Sequence, residues 1–172
     1  MVRTFRGESV HKVDTKGRVS IPAGFRRVLE SGDPSWVEGR NPELVIVYGD
    51  QRRHYLECFT VKAIQSVDKK IRKMPRASKK RRALQRLYNG QAVPTSVDET
   101  GRLVLPIKLR EKIGLDGEAF FIGNGDTFEI WKPETYDEEA YAGLDEDDDF
   151  DPDADPSVYL EGGDLEDDGE EE

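Results

Sequence analysis

The chain has 172 residues, of which 36% are charged and 35% hydrophobic, with a formal net charge of −10. No apolar run approaches the ~20 residues of a membrane helix, and the opening MVRTFRGES lacks the apolar core of a secretory signal. Cys58, the lone cysteine, excludes an internal disulfide, and a reducing cytoplasm is the default compartment.

The net charge conceals two opposite regions. Residues 137–172 hold 19 acidic side chains and no Lys or Arg, whereas residues 1–136 hold 17 acids against 26 bases. A basic body of about +9 thus precedes an acidic tail of about −19, an asymmetry that points to a polyanionic partner for the body.

In chain order, a strand is predicted over residues 8–13, followed by the turn Asp14-Thr15-Lys16-Gly17. Asp bonds amides ahead of it in such turns, and Gly accepts a positive φ. A second strand leaves at Arg18 and ends at Pro22, which suits the start of a helix because its missing N–H would go unbonded there. That helix runs to about Leu29, and Gly32 stops it. Strands follow at 43–47 and 54–59. Val61, Ile64, Val67 and Ile71 recur at helical spacing, so residues 60–73 read as an amphipathic helix. Pro75 interrupts it, and a second helix spans about 76–88. Ten Lys and Arg residues lie between Lys69 and Arg86. They serve either as sequence-independent phosphate attraction or as a solvated surface.

The pattern then returns. A strand over 91–97 leads to Asp98-Glu99-Thr100-Gly101, a strand from Arg102 to Pro106, a helix to Ile113 stopped by Gly114, and strands at 119–122 and 127–131. VDTKGRVSIP (13–22) aligns with VDETGRLVLP (97–106) at a constant offset of 84. Each copy is about 45 residues, too small to bury a good core alone. The expected organisation is repeat 1 over 8–55, a basic helical connector over 60–90, repeat 2 over 94–137 and a disordered acidic tail over 142–172, where composition precludes a packed core.

A hairpin turn needs the Asp and the Gly of Asp-x-x-Gly-Arg. It does not need an Arg directly after the Gly, twice. Arginine presents a planar fork of donors suited to phosphate or to guanine edges. Arg26 and Arg110, which follow each Pro at the same offset, read as packing or ion-pairing residues. Trp36, Phe120, Phe121 and Trp131 read as core or subunit contacts, and Cys58 as a small core residue. His11 and His54 make no recognisable metal site. No phosphate loop or nucleophile elbow occurs, and no enzyme, cofactor or metal is expected.

Asp-x-x-Gly-Arg, a hydrophobic strand, Pro and a short helix together resemble the SpoVT-AbrB domain. Two such units, with Phe5-Arg6-Gly7 at the start, a basic helical linker and Glu129-Ile130-Trp131 near the end, resemble the MraZ family. The resemblance covers residues 1 to about 141 and omits the acidic tail. It implies an α+β fold, mainly β, in which two swapped-hairpin repeats form a pseudo-dimeric β-barrel with helices between and after them. It further implies a homo-oligomeric ring, cytoplasmic and nucleoid-associated. That ring would bind double-stranded DNA at repeated promoter sites upstream of the division and cell-wall gene cluster. Position by position, Arg18 and Arg102 become the DNA contacts, joined by Lys16. Asp14, Gly17, Asp98 and Gly101 become loop-shaping residues. Thr100 stands opposite Lys16, so the halves contribute unequally. Two alternatives remain: an antitoxin-like regulator whose acidic tail binds a protein partner, and an oligomeric scaffold without DNA contact. The tail itself reads as a solubility brush, a ligand for an unidentified basic partner, or a polyanion competing with DNA.

Overall fold

The computed structural model describes residues 4–139 and 149–160. Its elements are β1 (Glu8–Lys12), β2 (Arg18–Ser20), α1 (Ala23–Ser31), β3 (Glu43–Val47), β4 (Tyr55–Thr60), α2 (Val61–Arg72), α3 (Lys79–Gln85), β5 (Ala92–Ser96), β6 (Arg102–Val104), α4 (Ile107–Ile113), β7 (Glu118–Gly123), β8 (Thr127–Trp131) and α5 (Pro133–Glu139). A π-helical turn, Arg86–Gly90, extends α3. The chain divides into two compact units after Asp137. In the second unit, Pro156–Leu160 form a 3-10 turn and Phe150 stacks on Tyr159 with centroids 5.7 Å apart. Within the expected acidic tail, residues 142–148 and 161–172 lie outside the described residues.

Local chemistry explains the helix ends. The Thr60 hydroxyl accepts from the Ala63 amide at 3.0 Å and starts α2, a cap worth about 1 kcal/mol. Ser78 does the same for α3 through the Arg81 amide at 3.3 Å. Pro22 and Pro106 sit just before α1 and α4 as extended cap residues rather than as the first helical position. The two stop glycines work differently. Gly114 adopts a left-handed φ of 67°, whereas Gly32 has φ −92° and is demanded by space, because a Cβ there would strike the Thr60 side chain.

Strands from the two halves of the chain intermingle. The larger sheet has the order β1-β7-β8-β4-β3-β5, so the first strand of each half pairs with a strand of the other: β1 with β7, β5 with β3. The short strands β2 and β6 form a separate two-stranded sheet. One face of the six-stranded sheet buries Leu44, Ile46, Leu56, Cys58, Phe121, Phe128 and Ile130 against Val19, Leu103 and the apolar sides of α1 and α4. The other face carries Val47 and Phe59, covered by Ile64 of α2 and by Leu87 and Tyr88 of the π turn.

This architecture corrects the fold expected from the sequence. Among the described residues no sheet closes into a barrel: β1 and β5 are the edges of an open antiparallel sheet. Nor is the fold mainly β, since helix and strand are roughly even. The cause lies at the turns. Each expected hairpin opens instead of zipping: β2 meets the residue that follows β1 in the isolated bridge Val13–Val19. Five residues after each turn glycine a proline arrives without an N–H, so β2 and β6 stop before they could extend a ladder that would join the edges. Pro94 marks β5 as an edge in the same way.

Candidate nucleic-acid interface

Register places the two arginines. Arg18 pairs with Val104, Val19 with Leu103, and Ser20 with Arg102. Alternation along the strands sends Val19 and Leu103 into the core, where both are buried. Arg18, Ser20, Arg102 and Val104 therefore share the outer face of a two-stranded ribbon. The arginines are diagonal neighbours across it, a relation that sets Cα atoms about 7–8 Å apart.

Each aspartate organises its own loop. Asp14 accepts from the Lys16 and Arg18 amides, both at 2.9 Å, and pairs with Arg18 Nε at 2.6 Å. The Arg18 amide and then its guanidinium hold the Asp14 carboxyl below the usual carboxylate range. Because Asp14 takes Nε, a phosphate or base edge would meet Nη1 and Nη2. The second loop is built differently. Asp98 accepts from the Thr100 and Arg102 amides at 2.9 Å and from the Thr100 hydroxyl at 2.7 Å. That hydroxyl in turn accepts from Arg102 Nε at 2.9 Å, and Asp98 stands 3.6 Å from the guanidinium. The Thr100 hydroxyl, followed by the Arg102 amide, lowers the Asp98 carboxyl as well. Thr100 is thus a relay between aspartate and arginine, a role its alignment with Lys16 did not suggest. Lys16 is exposed beside the first loop.

The two loops are also tied crosswise. Leu105 donates its amide to the Gly17 carbonyl at 2.8 Å, and Ile21 donates to Gly101 at 3.0 Å. Arg26 of α1 donates to the Asp98 carbonyl of the opposite loop. Arg110 of α4 donates to the Leu105 carbonyl at 2.9 Å and to Thr15 at 3.5 Å. Sequence reasoning saw the repeated offset of these arginines but missed that each braces the other half's loop. Gly17 (φ 84°) and Gly101 (φ 79°) both occupy the left-handed region. Within the basic connector, α2 and the π turn cover the opposite face of the sheet.

The chain matches the family described as "MraZ protein, putative antitoxin-like" over residues 4–87 and 90–155. The chain belongs to the MraZ family. It is 64% identical over 163 residues to the transcriptional regulator MraZ of Ruegeria pomeroyi, spanning 94% of this chain and 98% of the relative. It is 68% identical over 157 residues to that of a second Ruegeria, spanning 88% and 94%. To the regulator of that name from Rickettsia akari it is 33% identical over 138 residues, spanning 78% and 85%. In this MraZ-family chain, no group of three or more His, Cys, Asp or Glu among the described residues could hold a metal ion. No helix among them is long and apolar enough to cross a membrane. Cys58 is fully buried, and burial pushes its thiol well up, away from reactive thiolate.

Proposed function

We propose that this chain is a transcriptional regulator, not an enzyme, that binds double-stranded DNA through Arg18 and Arg102, with Lys16 adding a contact on the first half. One observation carries the reading: both arginines stand on the outer face of a ribbon whose inner face is anchored in the core. Two strands of three residues make a ribbon about 10 Å long. A major groove about 12 Å wide admits such a ribbon, and guanine there offers the acceptors arginine reads best. Asp14, Gly17, Asp98 and Gly101 set the loops and do not touch DNA.

The regulator acts as a homo-oligomeric ring, cytoplasmic and nucleoid-associated, on repeated promoter sites upstream of the division and cell-wall gene cluster. A ring repeats one modest contact surface, and tandem sites engage several copies through effective concentration. The organisation that goes with this reading is repeat 1 over 8–55, the connector over 60–90, repeat 2 over 94–137 and the acidic tail over 142–172. Footprinting on DNA upstream of the chain's own gene tests it: protection at regularly spaced repeats is expected, and uniform weak protection would exclude sequence-specific regulation. The family description favours a second reading, an antitoxin-like regulator. That reading requires a protein partner that leaves the complex when residues 142–172 are removed.

A further inference from the structure

The ribbon's outer face and the start of α4 each carry an apolar side chain that packing does not account for. Val104 is 48% exposed and Ile107, at the start of α4, is 61% exposed. Neither belongs to a buried cluster. Both lie on the first loop's side of the ribbon. Val104 is the register partner of Arg18, and the Leu105 amide bonded to the Gly17 carbonyl holds the start of α4 beside Lys16 and Gly17. The equivalent positions on the other side hold Ser20, the register partner of Arg102, and Ala23. One side of the surface therefore presents Lys16, Arg18, Val104 and Ile107. The other presents Thr100, Arg102, Ser20 and Ala23. The first joins cations to branched apolar groups; the second joins one cation to two hydroxyls and a methyl.

We propose that Val104 and Ile107 read the 5-methyl group of thymine next to the base pair contacted by Arg18. The inference rests on the DNA-binding reading above and adds a specificity element to it. Thymine is the one base that shows a methyl group in the major groove, where apolar side chains distinguish it from the other three. Adjoining cations make a neighbouring protein surface a poorer fit than DNA: Arg18 and Lys16 flank the patch, so an occupant must bring an anionic frame and an apolar spot together. A thymine-bearing strand has both. The hydroxyl-bearing side offers only smaller methyl groups there, so the two sides recognise different base steps.

The test uses the full chain and the doubly substituted Val104→Ser, Ile107→Ala variant, which gives the second repeat the side chains of the first. The probe is the duplex footprinted upstream of the gene, prepared with thymine or with uracil, which lacks only the 5-methyl group. Affinity is read by fluorescence anisotropy at one salt concentration, alongside circular dichroism and light scattering. The wild-type chain is expected to bind the uracil duplex about fourfold more weakly, as one methyl group buried from water implies. The variant is expected to discriminate clearly less between the two duplexes, with an unchanged salt dependence because the arginines remain. The inference is overturned if wild type ignores the exchange, or if the variant loses as much as wild type does. A changed oligomeric state in the variant overturns it too, by assigning the patch to a contact between copies. If wild type prefers no duplex over random DNA, the regulatory reading falls first and this inference falls with it.

Discussion

The two loop glycines occupy equivalent places in the repeats, yet the structure assigns their substitution very different costs. Gly17→Ala and Gly101→Ala both put an L side chain in the left-handed region, at about 1–2 kcal/mol. At Gly101 nothing lies within 4 Å of the added Cβ, so the cost ends there. At Gly17 the Cβ overlaps the Leu105 carbonyl oxygen and comes within 2.9 Å of Arg110 Nε. Relieving that overlap costs about 1–3 kcal/mol. Moving Leu105 away also breaks its 2.8 Å amide bond to the Gly17 carbonyl, worth about 1 kcal/mol. The totals are about 1.5 kcal/mol for Gly101→Ala and about 4 kcal/mol for Gly17→Ala. With a urea slope of about 2 kcal/mol per molar, the midpoint should fall by somewhat under about 1 M in the first variant and about 2 M in the second. Urea titrations by circular dichroism at one protein concentration decide the matter. Equal midpoint shifts would refute the claim that the first loop is packed against the opposite repeat.

Arg26→Ala should speed amide hydrogen exchange in the second loop, at Thr100 and Arg102, while Arg110→Ala should speed it in the first, at Lys16 and Arg18; exchange confined to each arginine's own repeat would disprove the crosswise bracing. Asp14 has a folded-state carboxyl below its ordinary value, so it contributes stability above the unfolded pKa that is lost as pH falls through the folded one. Asp14→Asn should therefore flatten the acid side of a stability-against-pH curve and leave the neutral-to-alkaline slope unchanged, as measured by urea midpoints. Residues 142–172 hold 16 acids and no Lys or Arg, so their removal moves the net charge from −10 to +6. Affinity for random DNA should then rise, most at low salt where screening is weakest, and an unchanged low-salt affinity would exclude the tail as a competitor.

The strands and helices were largely legible because each carried a local signal. Runs rich in β-branched and aromatic residues marked the strands at 43–47 and 127–131, and the spacing of Val61, Ile64, Val67 and Ile71 set α2 to within a residue at each end. Sheet closure was not legible, because it depends on whether β2 and β6 stay paired with their preceding strands. Local propensity is silent on that choice, and the three-residue length imposed before Pro22 and Pro106 decides it. At the site, Asp, Gly and Arg announced themselves by repetition. The jobs of Arg26, Arg110 and Thr100 did not, since each depends on a partner brought close only by the crossing of the repeats. Val104 and Ile107 pass in the sequence as ordinary core residues, and only their exposure sets them apart.

The central claim is that Arg18 and Arg102 carry sequence-specific DNA contact. Its most direct measurement is the affinity of the Arg18→Ala, Arg102→Ala variant for the upstream duplex and for a random duplex, by anisotropy at fixed salt. Folding and assembly are followed by circular dichroism and light scattering. Each arginine–base pairing is worth about 1–3 kcal/mol, so binding to the upstream duplex should fall roughly a hundredfold or more, to the level of the random one, in a protein that folds and assembles as wild type. Wild-type affinity for the upstream duplex in that variant would contradict the account.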